Sequence, residues 1–239
     1  MQERYDRLWS GTIERIRKGD LELDPVLSAG RPDRRRGLTV IARPDGQVRR
    51  RVAAFVDQLR TLEPEQHYYA RRELHVTVLS LFTATIDCGR FFAKTESFVA
   101  AVDAALRKAA PFRIEFTGVT ASPGAILIQG FAHGEALDQA RESLRRELRV
   151  RGLGEGADAR YRLETAHLTV ARFRARLRQG ERLAQELETA RHRPFGTTEI
   201  HGVSLVRNDW YMTRGTLETV KRYPLRGIAA GEPSVHHRP

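Results

Sequence analysis

Two four-residue stretches carry the residue types of acid–base chemistry. His75-Val76-Thr77-Val78 and His167-Leu168-Thr169-Val170 share one pattern of His, aliphatic, Thr, aliphatic. Each lies in a segment that reads as a β-strand, Tyr69 to Phe82 in the first half and Tyr161 to Phe173 in the second. Successive strand side chains point to opposite faces. His75 and Thr77 therefore share one face, as do His167 and Thr169, while the aliphatic residues turn to the core. The other six of the eight histidines lack the pattern, so the repetition points to function rather than to two separate core histidines. An imidazole titrates near neutral pH, so one of a pair can act as general base while the other acts as acid. Two hydroxyls can donate to anionic oxygens and stabilise charge developing on a phosphoryl group. The set suits in-line displacement at phosphorus, with no cofactor. Zinc would need about three protein ligands, and two histidines on separate strands without a carboxylate partner do not supply them, so no metal site is expected.

The composition narrows the partners. The 239 residues hold 41 Lys and Arg against 30 Asp and Glu, a net charge of +11, and only four of the cations are Lys. Nucleic acid, nucleotides and anionic surfaces are the first partners to consider, although codon composition explains an Arg excess equally well. The single cysteine, Cys88, permits no internal disulfide. No apolar run approaches the roughly 20 residues of a membrane helix, and the start lacks the apolar stretch of a secretory signal. A cytoplasmic monomer without membrane contact is expected.

The elements that must position the motifs follow from periodicity. Tyr5, Leu8, Trp9, Ile13 and Ile16 fall at helical spacing with Gly19 as a stop. Residues 1–36 thus read as a helical extension and linker, covering a core surface or forming a lid. A strand at Leu38–Ala42 ends at Pro44-Asp45-Gly46, and Val48 to Leu62 make a helical stripe. Further helices carry Phe91 to Leu106, Leu137 to Leu148, and Leu183 with Leu187. Phe112–Phe116 and Ala125–Phe131 read as paired strands, and two last strands are expected near Thr198–Val206 and Thr216–Leu225. Helices mixed with hairpins favour an α+β architecture over a parallel α/β sheet. The main body spans residues 37–226 and a tail spans 227–239, with His236-His237 in it.

Strand parity sorts the neighbours. Tyr69, Arg71 and Glu73 share the face of His75, and Tyr161 and Thr165 that of His167. Tyr69 and Tyr161 are candidates for stacking on a base. The loop Asn208-Asp209-Trp210-Tyr211 could close over a substrate, which makes Tyr211 a third candidate. Glu73 reads as a solvated carboxylate rather than a holder of His75. The runs Arg34-Arg35-Arg36 and Arg49-Arg50-Arg51 read as solvated faces.

At the paired motifs the chain resembles the 2H phosphoesterase superfamily, in particular its 2'-5' RNA ligase and RNA 2',3'-cyclic phosphodiesterase branch. Leu74 before the first motif, Leu81-Phe82 after it, and Ala171-Arg172 after the second also match. The resemblance implies a two-lobed α+β fold with pseudo-twofold symmetry, in which antiparallel sheets form a central cleft. It implies a hydrolase for RNA 2',3'-cyclic phosphate ends or a small cyclic nucleotide, with His75 as acid, His167 as base, and Thr77 and Thr169 on the phosphate. Joining RNA ends through 2'-5' linkages is the same chemistry reversed, and a non-catalytic RNA- or nucleotide-binding module is the alternative. Arg172 joins the substrate-binding candidates through the resemblance, although parity sends it to the opposite face unless a bulge intervenes. Thr165-Ala166 departs from the basic residue that many relatives carry two positions before the second His.

Overall fold

The apolar runs condense into helices and strands throughout residues 1–159 and 161–227, which the computed structural model describes. The helices are α1 (Gln2–Ser10), α2 (Ile13–Lys18), α3 (Pro25–Ser28), α4 (Gly46–Leu62), α5 (Gly89–Phe92), α6 (Thr95–Leu106), α7 (Ala136–Val150) and α8 (Gly180–Thr189). The strands are β1 (Arg36–Ala42), β2 (His67–Tyr68), β3 (Val76–Thr85), β4 (Phe112–Ser122), β5 (Ala125–His133), β6 (Leu168–Arg172), β7 (Pro194–Ile200), β8 (Gly202–Asn208) and β9 (Glu218–Pro224). Local chemistry sets several ends. The Asp45 carboxylate accepts hydrogen bonds from the Gln47 and Val48 amides and caps α4. Gly19 closes α2 in the left-handed region at φ 71°.

All strand pairs are antiparallel, and the sheet runs β7-β4-β5-β6-β3-β1-β8-β9, with β2 pairing to β6. The two motif strands, β3 and β6, are central neighbours, and three strands flank each on its outer side. The two lobes are therefore alike about an axis between β3 and β6. The helices cross over it. Helix α4 follows β1 but packs on β7 and β6, whereas α7 follows β5 but packs across β3. This is the α+β, two-lobed architecture expected.

Three strand assignments are corrected. Thr198–Val206, expected as one strand, is divided at His201 into β7 and β8. These pair with β4 in one lobe and β1 in the other. Consecutive strands on opposite halves require the sheet to curl until its halves meet at that corner. Buried and exposed residues alternate on both sides of the corner, but the buried positions change parity between Ile200 and Val203, across exposed His201 and Gly202. The motif strands also start later than expected, at Val76 and Leu168 rather than at Tyr69 and Tyr161, because turns occupy residues 71–73 and irregular backbone precedes Leu168.

The N-terminal helices are fixed to the second lobe. Tyr5, Ile13 and Ile16 are buried. The Tyr5 hydroxyl donates to the Gly130 carbonyl (3.0 Å) and accepts from the Gly130 amide (3.2 Å), and the Thr120 hydroxyl donates to the Tyr5 carbonyl (3.0 Å). Arg191 pairs with Asp6, and Arg17 with Glu181 and Glu188. Cover, not lid, is what these contacts describe. The tail residues His236 and His237 lie outside the described residues.

Gly130 sits where β5 meets the backbone leading into β6: a Cβ there would lie 2.0 Å from the Ala166 carbonyl oxygen. Gly130→Ala is expected to cost about 2–3 kcal/mol through this forced overlap. Denaturant unfolding checks it; a midpoint equal to that of the parent protein would contradict the packing.

Candidate active site

The site begins at the seam between β3 and β6. One ladder pair, Val76 with Leu168, joins them. Extending that antiparallel register by one residue each way sets His75 opposite Thr169 and Thr77 opposite His167. Directly opposed residues have Cβ atoms about 4.5–5.5 Å apart. All four side chains are partly accessible, while Val76, Val78, Leu168 and Val170 are buried. The two imidazoles thus stand diagonally on one face, each facing a threonine of the other strand. Among the described residues no hydrogen bond engages the Thr77 or Thr169 hydroxyl, so both are open to a ligand.

Each imidazole is held by its own strand entry. His75 Nδ1 donates to the Glu73 carbonyl at 2.6 Å. The Glu73 carboxylate is occupied elsewhere, accepting from the Ala70 and Arg214 amides; it is the backbone, not the acid group, that orients His75. His167 Nδ1 is hydrogen-bonded to the Thr165 hydroxyl at 2.8 Å. Thr165, two residues before the second His, thus positions the imidazole.

Burial pushes both imidazoles down to a pKa of about 4. For His75 the Glu73 carbonyl opposes this shift, and Arg43 and Arg172 add to it. For His167 nothing opposes it; His75, Arg141 and Arg172 all add to the effect of burial. Both rings are neutral at pH 7, and His75 alone has a contact, the Glu73 carbonyl, that opposes the loss of its imidazolium.

A residue that the sequence reading passed over ties the seam together. Arg141, on α7, is 1% exposed. Its guanidinium donates to the carbonyls of Val78 (3.0 Å), Glu164 (2.9 Å), Thr77 (3.2 Å) and Thr165 (2.7 Å). It therefore bonds the backbone of β3 and the backbone entering β6 at once, beneath both motifs. Arg141 falls between Leu137, Ala140, Leu144 and Leu148 on the buried face of α7. An arginine inside an apolar stripe was the available signal.

The candidate substrate-binding residues separate into two groups. Arg172 reaches the site because β6 is bulged: Leu127 pairs with Thr169 but Ile126 with Ala171, skipping Val170. Val170 and Ala171 are both buried, and Arg172 returns to the face of His167 and Thr169. The opposite-face expectation from parity is corrected by that one extra residue. A cavity of about 790 Å³ is lined by His167, Thr169 and Arg172, by Tyr161 and Trp210, and by Arg4, Arg7, Leu8 and Arg35 of the extension. Its lining stops short of His75 and Thr77. Tyr161 is 61% exposed at its rim. Tyr69 and Tyr211 are buried, and neither is free to stack on a base. The Tyr69 hydroxyl accepts from Arg172 Nε at 2.9 Å, and that of Tyr211 donates to Asp24 at 2.6 Å. Trp210, not Tyr211, is the aromatic residue of that loop on the cavity wall. Among the described residues no cluster of three or more His, Cys, Asp or Glu side chains could hold a metal ion, and no helix is long and apolar enough to cross a membrane.

Geometry and sequence agree on the class. The family model of the 2'-5' RNA ligase superfamily matches residues 48–210, and the chain belongs to that superfamily, a group of 2H phosphoesterases. Three solved structures share its fold. TT0787 of Thermus thermophilus is 20% identical with a TM-score of 0.60, over 81% of this chain and 100% of that one. A crystal structure described as a phosphoesterase is 15% identical with a TM-score of 0.53, over 82% and 99%. LigT of E. coli, complexed with 3'-AMP, is 15% identical with a TM-score of 0.52, over 81% and 99%. No curated protein sequence matches the chain.

Arg141→Lys keeps a charge but reaches fewer of the carbonyls, so buried hydrogen bonds to them are lost. A loss of about 2–3 kcal/mol is expected, with amide exchange at Val76 and Leu168 accelerated more than elsewhere in the sheet. Uniform exchange across the sheet would show that the guanidinium does not hold the seam.

Proposed function

We propose that this protein is a metal-independent cyclic phosphodiesterase acting on RNA 2',3'-cyclic phosphate ends or a small cyclic nucleotide. The observation that carries the reading is the register at the seam, which sets two imidazole–threonine couples across one another on one face. The cyclic phosphate lies between them, its anionic oxygens accepting from the Thr77 and Thr169 hydroxyls. His167 donates Nδ1–H to the Thr165 hydroxyl, which leaves Nε2 free to take a proton from the attacking water. His75, whose imidazolium the Glu73 carbonyl favours, gives its Nε2 proton to the departing ribose oxygen. The water oxygen forms the new bond to phosphorus as the ribose oxygen leaves from the other side. Afterwards His167 loses its proton to solvent and His75 regains one. Arg172 adds positive charge on the cavity side. LigT of E. coli, a protein of the same fold, has been crystallised with 3'-AMP, and a nucleotide is the ligand class drawn on here.

Purified protein is expected to hydrolyse a nucleoside 2',3'-cyclic phosphate in EDTA. His75→Ala and His167→Ala should each lower kcat by about 10²–10⁴-fold, the scale of a lost general acid or base, with unfolding midpoints close to that of the parent. Full activity in either variant would overturn the mechanism. Nucleotide binding without any turnover would favour a binding module instead.

The pH profile carries a sign. In the free protein both rings titrate near pH 4, so the form with one proton between them is most populated on the acid side and declines as pH rises through neutrality. A bound anion stabilises the imidazolium and raises these values. kcat/KM, which reports the free protein, should therefore fall from pH 5 to 7, whereas kcat, which reports the complex, should peak at higher pH. Coincident optima would contradict the burial-driven depression.

A further inference from the structure

Arg35 lies in the basic run that reads as a solvated face, and it precedes residues 48–210 that match the family model. It is nonetheless a fixed group on the cavity wall. Its Nε donates to Asp33 at 2.8 Å and its Nη2 to the Tyr211 hydroxyl at 3.0 Å. Its guanidinium carbon stands 4.8 Å from the Trp210 ring centre and 5.5 Å from that of Tyr211. The Asp33 side chain is 4% exposed and lies off the cavity lining, so it holds the guanidinium from behind. The Arg172 guanidinium carbon approaches the same two rings, at 5.7 Å and 5.9 Å. Two like charges are thus gathered around one aromatic pair, on one cavity, within a nucleotide's reach of each other. No carboxylate forms an ion pair with Arg172 among the described residues. Asp33 balances the Arg35 charge and Glu22, Asp24 and Glu164 also line the cavity, so the unbalanced charge there is that of Arg172, and an anion across the pair gains it together with the Arg35 donors.

We propose that Arg35 is a substrate-binding residue: with Arg172 directed to the reacting phosphate, Arg35 receives a second phosphate, on the 5' side of the reacting ribose. The inference rests on the cyclic phosphodiesterase reading and adds to it what the extension contributes. Asp33, Tyr211 and Trp210 remove the guanidinium's freedom before the substrate arrives, which lowers the cost of ordering it on binding. The second phosphate has two sources, the 5'-phosphate of a mononucleotide or the phosphodiester to a preceding nucleotide.

Three substrates test it with the full chain: a nucleoside 2',3'-cyclic phosphate, the same compound with a 5'-phosphate, and a dinucleotide ending in a 2',3'-cyclic phosphate. Wild-type kcat/KM should be higher for at least one phosphate-bearing substrate than for the nucleoside compound. Preference for both identifies any 5' phosphate; preference for the dinucleotide alone identifies the phosphodiester. Arg35→Ala should cut the preference ratio about tenfold, the scale of one charge-assisted hydrogen bond. A ratio taken within one variant is insensitive to a general loss of activity. Should Arg35→Ala be too unstable to assay, Arg35→Lys, with charge but no two-pronged fork, must also lower the ratio. Hydrolysis with no wild-type preference, or with a ratio unchanged in the variant assayed, overturns the subsite alone. Failure to hydrolyse any of the three overturns the underlying reading and the subsite with it.

Discussion

The β3–β6 seam is the constraint on which the site depends. A full ladder between the strands would fix their separation through many backbone hydrogen bonds. Here one residue pair joins them, and the Arg141 guanidinium supplies donors to carbonyls on both sides. A buried guanidinium is costly to desolvate, and a lone one would be strongly destabilising. Four carbonyl acceptors and the Asp138 carboxylate, 3.5 Å away, offset that cost. A short seam with a rigid cross-link leaves the motif faces close but not zipped shut. The same residue fixes the Thr165 backbone, whose hydroxyl holds His167, and the carbonyl of Thr77, so it sets the position of both motifs.

The electrostatics follow from that arrangement. Arg141 and Arg172 lie close enough to His167, and Arg43 and Arg172 to His75, to disfavour a further positive charge on either ring. An empty site therefore keeps its imidazoles neutral, and an anionic ligand changes the balance by bringing the charge the cations lack. On the proposed mechanism, protonation of His75 is coupled to binding, because the anion that needs the proton also stabilises it. The depression of both imidazoles is produced by burial and by guanidinium groups, among them those on α7 and β6.

The motifs were legible because strand period and residue type are both local properties. His, aliphatic, Thr, aliphatic on a strand can face only one way, and the burial pattern of β3 and β6 follows it. Helix α4 was legible for the same reason, its apolar stripe beginning at an Asp45 cap. What stayed hidden depends on contacts between distant residues. The extra residue at Val170, set by pairing with β5, turns Arg172 back to the site, and no pattern within β6 announces it. Arg141 looks like a polar intrusion in an apolar stripe until the four carbonyls it meets are known. Arg34, Arg35 and Arg36 read alike in sequence, and only the Asp33–Tyr211–Trp210 surroundings single out Arg35. Tyr69 and Tyr211 looked suited to stacking, but their hydroxyls found partners inside the fold, which buried them.

The extension changes what the cavity can select. A mobile lid would admit ligands of many sizes and order itself around each. Tyr5 bonded on both sides of Gly130, Arg17 paired with two glutamates of α8, and the Asp24 amide donating to the Phe173 carbonyl (2.8 Å) instead fix these residues to the lobe that carries β6. A fixed wall discriminates through the position of its charges and through the space it excludes, since little of it must be ordered when a ligand binds. It places guanidinium groups from α1 and from the approach to β1 on the cavity that holds His167. The cavity therefore lies on the side of the second motif, with His167, Thr169 and Arg172 in its lining and His75 and Thr77 outside it, and the near-twofold symmetry of the sheet is not carried over to the space around the motifs.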